Sequence, residues 1–189
     1  VSAPVSILLI TSRETRRWVL PKGNLIDGLQ PHAAAAHEAQ GRRAEVPGGV
    51  VGAGTLLTPT DVKAAKAAGA TFGVSPGATD RLLDACEEYD LPLLAGAATS
   101  TEVMALLERG YTVQKFFPAE ANGGAPALSA IGAPLPQVSF CPTGGISLAK
   151  APDYLKLPNV LCVGGSWVAP KALMQVGDWA GITKLAAEA

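Results

Sequence analysis

The sequence predicts an α/β fold of repeated strand–helix units around a parallel sheet, on three observations. Apolar, β-branched runs recur six times between residues 50 and 166, each ends in Gly, Pro, Ser or Thr, and a helical segment follows each. Nearly continuous apolar strands alternating with helices belong to parallel sheets covered on both faces. Such units either close into a (β/α)8 barrel, with two more units to find, or stay open as a doubly wound sheet. Ligands bind at the C-terminal strand ends in both. The period alone leaves the two equal.

Along the chain, "SILLIT" (6–11) and "RRWVLPKG" (16–23) come first, too close together for a parallel crossover of about a dozen residues, so they predict an antiparallel hairpin. "PHAAAAHEAQGRRAE" then reads as a helix with Pro31 at its start. The repeat follows: "VVGAGT" to Thr55, "TFGVSPG" to Gly77, "LPLLAGAAT" to Thr99, "YTVQKFFPA" to Ala119, "QVSFCPTGG" to Gly145 and "NVLCVGGS" to Ser166. These ends lie 22, 22, 20, 26 and 21 residues apart, the length a strand–loop–helix–loop unit needs. "TPTD" offers Thr58 as an N-cap with proline in the first turn, and "TSTE" from Thr99 to Glu102 is a capping-box pattern before a helix that Gly110 can end. The hairpin and first helix are expected to stand in place of the first two units.

With 189 residues, 48% hydrophobic, the chain is long enough for one sizeable core, so 1–189 reads as a single domain. A net charge of −1 with interspersed signs gives no basic stripe for nucleic acid and no basic amphipathic helix for a membrane surface. A small-molecule partner is the expectation. Cys86, Cys141 and Cys162 are odd in number and form no CxxC pair, which predicts small buried side chains in a reducing compartment and neither disulfides nor a metal site. No stretch approaches the ~20 apolar residues of a membrane span, and a cytoplasmic protein is expected.

Lys115 is the charge that does not fit its strand. Alternation puts it on the face of Val113 and Phe117, the interior of a closed barrel. A lysine held among apolar groups loses hydration, its pKa falls, and the neutral amine can attack a carbonyl. A lysine that snorkels out at the strand end or marks an edge strand would give the same sequence. "CPTGGIS" and "CVGGSW" end consecutive runs with a glycine pair and a hydroxyl, a pattern that leaves backbone N–H groups open to an anion at a helix start. Together they read as one phosphate cradle at the last two strands.

"VVGAGT", "VSPG", "KFFPAEANGG", "FCPTGGIS" and "VLCVGGSW" resemble, in order and spacing, the 2-keto-3-deoxy-6-phosphogluconate (KDPG) and 4-hydroxy-2-oxoglutarate aldolase family, over residues 42–189. The resemblance implies a (β/α)8 barrel, usually a homotrimer, and a class I, metal-independent and cofactor-free aldolase that cleaves its phosphorylated keto acid to pyruvate and glyceraldehyde 3-phosphate. Lys115 would be the Schiff-base lysine. Thr55 and Thr143 would hold the pyruvyl carboxylate and nearby oxygens, Pro76 and Phe117 would line the pocket, and Gly144, Gly145, Gly164, Gly165 and Ser166 would hold phosphate.

One part of the family pattern is missing. Its second strand carries a glutamate general base and an arginine in a pattern like E-V-T-L-R, which does not occur here; Glu45 aligns instead with the end of the second helix, on the opposite barrel face. Residues 1–41 are similar to the start of a Nudix hydrolase, up to the middle of its metal-binding helix. Of that helix's carboxylates only Glu38 is present, with Gly41 and Arg42 in place of the glutamate pair, so magnesium binding is not expected. A junction near Gln40 and a chimeric chain follow. Three functions are then in play: an aldolase with impaired proton transfer, a folded chimera without catalysis, and a Nudix pyrophosphohydrolase.

Overall fold

The computed structural model describes residues 52–188. The N-terminal hairpin, its helix and the Nudix-like stretch, with Lys22, Asp27, Glu38 and Glu45, lie outside those residues. Among the described residues are strands β1 (Gly52–Gly54), β2 (Phe72–Val74), β3 (Leu93–Leu94), β4 (Gly96–Ala97), β5 (Val113–Phe116) and β6 (Ser139–Pro142). The helices are α1 (Pro59–Ala67), α2 (Asp80–Glu88), α3 (Ser100–Glu108), α4 (Gly124–Gly132), α5 (Ala151–Leu155), α6 (Lys171–Val176) and α7 (Trp179–Glu188).

The strands form two separate three-stranded sheets, ordered β1-β2-β3 and β4-β5-β6, with β1–β2, β4–β5 and β5–β6 parallel. This corrects the expected closed (β/α)8 barrel, and with it the set of six regular strands. Two runs account for the difference. "LPLLAGAAT" divides at Ala95, where the Leu94 carbonyl accepts from Ser75 N (3.2 Å) while the carbonyls of Ala95 and Ala97 accept from Lys115 N (2.8 Å) and Phe117 N (3.2 Å). "NVLCVGGS" forms no strand, only the isolated parallel bridges Phe140↔Val160 and Thr143↔Gly164. Barrel closure needs an unbroken ladder around the whole circuit; these ladders end after three strands.

The described residues fall into two compact units, one of residues 52–74 with Asp80–Leu93, the other of Ser75–Thr79 with residues 94–188. In the first unit Thr58 is the N-cap of α1, as its "TPTD" predicts, and Asp61 completes a capping box that the sequence reading did not include. Leu82, Leu83, Ala85 and Cys86 line one face of α2 and are buried, the stripe that a helix packed on one side presents. In the second unit Thr99 and Glu102 box the start of α3, and Gly110, at φ +86°, follows its end. Phe116, Leu128, Val138, Phe140 and Tyr154 are each at most 1% exposed and form its core; burying one such side chain stabilises by roughly 1.5–3 kcal/mol.

Candidate functional site

The second unit holds Lys115, and the two faces of β5 explain its setting. Gln114 and Phe116 are fully buried, and the Gln114 amide donates to the carbonyls of Val103 in α3 (3.0 Å) and Tyr111 (2.9 Å). The helix-covered face is therefore theirs. Val113, on the other face, is 42% exposed, and Lys115 beside it is half-buried. Burial still lowers the Lys115 pKa from 10.5 to about 8, which raises its neutral fraction at pH 7 roughly 300-fold. Its Nζ sits 4.2 Å from the centre of the Phe117 ring. The ring face favours the ammonium form, so burial and ring act in opposite directions on one amine.

Backbone contacts gather other residues around it. Lys115 pairs in register with Gly96 on β4 and Cys141 on β6. A Cβ at Gly96 would stand 2.2 Å from the Pro76 carbonyl oxygen, so the Pro76–Gly77 backbone crosses at a point where only glycine fits. Thr143 N donates to Phe116 O (2.9 Å), and Thr143 O and Gly144 O accept from Ala119 N and Glu120 N (2.8 and 3.0 Å), which ties the "PTGG" turn to the end of β5. Gly164 lies against Thr143, where a Cβ would be 2.5 Å from Oγ1.

The glycine pairs divide in their use. Gly144 and Gly145 have φ of +108° and +77°, the left-handed region that glycine adopts without strain. Consecutive N–H groups in such a turn make an anion-binding concavity. The Gly164 N–H is committed to Pro142 O at 2.8 Å, so its part is close packing. The helices that follow, α5 and α6, have five and six residues and begin six residues after Gly145 and five after Ser166, so the turns themselves, not helix starts, would meet an anion. Thr55 belongs to the first unit; it follows β1, half-buried, at φ +59°. A β-branched residue in that region is strained by about 1–3 kcal/mol, a condition common at functional sites.

Sequence reasoning missed four residues near these groups. Ser75, next to Pro76, is fully buried with a hydroxyl unpartnered among the described residues, and Trp167 Nε1 is likewise buried and unpartnered, its ring lying over Gly165. Gly96 carries no chemistry for sequence to reveal. Glu120 accepts from Lys150 and from the Tyr154 hydroxyl, which hold its carboxyl below its usual pKa. With Lys150 and Tyr154 it lines an open cavity of about 710 Å³ that does not include Lys115. Among the described residues no three His, Cys, Asp or Glu stand together as a metal site, and no helix is long and apolar enough to cross a membrane.

The family model for KDPG and KHG aldolases matches residues 29–185. The chain belongs to that aldolase family. It is 52% identical over 145 residues to the KHG/KDPG aldolase of Escherichia coli K12, covering 77% of this chain and 68% of that relative. Among solved structures it resembles the KDPG aldolase of Legionella pneumophila, captured with pyruvate as a covalent carbinolamine intermediate, at a TM-score of 0.76 and 44% identity over 82% of this chain and 73% of that one. The Zymomonas mobilis ZM4 KDPG aldolase, solved with 3-phosphoglycerate, gives 0.71 and 42% over 82% and 81%. The family match begins ahead of residue 42, the boundary read from the motifs.

Proposed function

We propose that the chain is a class I aldolase that binds a phosphorylated 2-keto-3-deoxy acid, KDPG, through Lys115 and splits it to pyruvate and glyceraldehyde 3-phosphate. The depressed pKa of Lys115, at the lysine position of the family motif "KFFPAE", carries this reading. The neutral amine attacks the keto carbon; loss of water from the carbinolamine leaves an imine that draws the electrons of the breaking carbon–carbon bond. Thr143 holds the carboxylate, Pro76 and Phe117 flank the pyruvyl group, and the backbone N–H groups of Gly144, Gly145 and Gly165 with Ser166 take the phosphate, beside the close-packed Gly164. Pyruvate caught on the Legionella relative and 3-phosphoglycerate on the Zymomonas one support both halves of the site.

Cleavage also needs a base for the substrate hydroxyl, worth typically ~100- to 10,000-fold, and the family's strand-two glutamate has no counterpart in the sequence. The enzyme therefore forms the imine and turns over at least ~100-fold below an intact relative. The Nudix-like start and a chimeric junction near Gln40 rest on the sequence of residues 1–41 alone, and the family match, which begins at residue 29, runs across that junction. The homotrimer rests on the family resemblance, and the cytoplasmic location on the odd number of cysteines without a CxxC pair. Incubation with pyruvate and borohydride, followed by mass spectrometry, tests the whole: a reduced adduct on Lys115, lost in Lys115→Ala, is expected. No adduct would make the chain an aldolase by ancestry only, and full-rate cleavage would show that another group serves as base.

A further inference from the structure

The last two segments of the second unit bring together two thiols that the aldolase chemistry does not use. Between the bridges Phe140↔Val160 and Thr143↔Gly164 lie two residues on one chain, 141 and 142, and three on the other, 161 to 163. The extra residue is a bulge, a device that re-aims a side chain. The ladder on either side is firm, with Leu161 N donating to Phe140 O (3.0 Å) and Gly164 N to Pro142 O (2.8 Å). Within it Cys141 and Cys162 stand close enough for each thiol to perturb the other. Neighbouring strands lie about 4.8 Å apart, inside the ~4.4–6.8 Å between Cα atoms that a disulfide spans.

We propose that Cys141 and Cys162 are an oxidisable dithiol that closes to an intramolecular disulfide when a hydroperoxide reaches Cys162. The two sulfurs differ in the way such a pair requires. Cys162 is exposed, and its interaction with Cys141 lowers its pKa below that of an ordinary thiol, which favours the attacking thiolate. Cys141 is buried, and its interaction with Cys162 together with burial pushes its thiol up, so it keeps its proton until needed. The Cys162 thiolate attacks one peroxide oxygen; the O–O bond breaks, hydroxide leaves and takes a proton as water, and Cys162 becomes a sulfenic acid. Cys141 sulfur then attacks the Cys162 sulfur, the S–O bond breaks, and the departing hydroxide carries off the Cys141 proton as a second water. Two thiols lose two electrons and one peroxide is reduced to two waters. Cys86, buried and raised to about 11, is a built-in comparison that stays reduced.

The crosslink is read without any aldolase assay. The full chain, reduced and then treated with stoichiometric hydrogen peroxide, is alkylated, digested with trypsin and analysed by mass spectrometry, with dithiothreitol reversal as a second arm. The expected product is a crosslinked pair of peptides carrying Cys141 and Cys162, two hydrogens lighter than their sum, with Cys86 alkylated and both thiols restored by dithiothreitol. In Cys141→Ser, Cys162 should stop at a dimedone-reactive sulfenic acid, and in Cys162→Ser, an exposed and mild change, Cys141 should stay reduced. Oxidation of Cys162 to sulfinic acid without a crosslink in the wild type, a disulfide between two chains, or oxidation of Cys86 at the same rate would each overturn the proposal.

Discussion

Replacing Phe117 with leucine isolates the influence of the ring on the Lys115 amine, which burial lowers and Cys141 partly raises. Burial takes its pKa from 10.5 down to about 8, while the ring 4.2 Å from Nζ favours the cation and holds the value up. A cation–π contact in a half-buried setting is worth about 0.5–2 kcal/mol, and about 1.36 kcal/mol corresponds to one pH unit. Leucine keeps the apolar cover and removes the ring, so the Lys115 pKa should fall by a further ~0.4 to 1.5. Well below the midpoint the rate of imine formation follows the neutral fraction, which rises tenfold per pH unit. At about pH 6.5 the variant should accumulate adduct roughly 2- to 15-fold faster than the wild type, and the two should converge above about pH 9. The assay is reductive trapping of pyruvate with cyanoborohydride across this range, with the Lys115 adduct quantified by mass spectrometry. A variant midpoint at or above that of the wild type would refute the role given to the ring, and a wild-type midpoint near 10.5 would refute the role given to burial.

Lys115→Met should abolish the adduct and stabilise the fold. Between about pH 8 and 10.5 the unfolded chain keeps a proton that the folded chain has lost, so the wild type gains stability as pH rises through that window and bears the full burial penalty below it. Methionine removes that penalty, raising stability at pH 7 by roughly 1–3 kcal/mol with little gain above pH 10.5, as urea midpoints at both pH values will show. Gly96→Ala places a methyl 2.2 Å from Pro76 O and should cost about 1–3 kcal/mol in thermal unfolding while lowering adduct formation; an unchanged melting temperature would mean that Pro76 does not pack there.

Local chemistry was legible in the sequence because its causes are local. The N-cap at Thr58, the capping box at Thr99, the stop at Gly110 and the depressed lysine pKa all depend on residues a few positions away or on the apolar strand itself. The long-range geometry was not. A period of about 22 residues gives the length of a unit but not where its ladder breaks, and the break at Ala95 depends on which carbonyl meets Ser75 and which meets Lys115. The expected burial of the cysteines held for Cys86 and Cys141 and failed at Cys162, which an extra residue between two bridges leaves exposed. Gly96 stayed invisible because the carbonyl it accommodates comes from a residue 20 positions earlier.

The glycine contacts also decide how this site can change over generations. Pro76 packs against β4 at Gly96, the residue in register with Lys115, and the two final segments meet across Gly164. Neither residue can gain a side chain without displacing backbone or the Thr143 hydroxyl, whereas Lys115→Met is expected to cost no stability. On that expectation the framework is confined by residues that take no part in the reaction, and the reaction rests on one that the framework does not need.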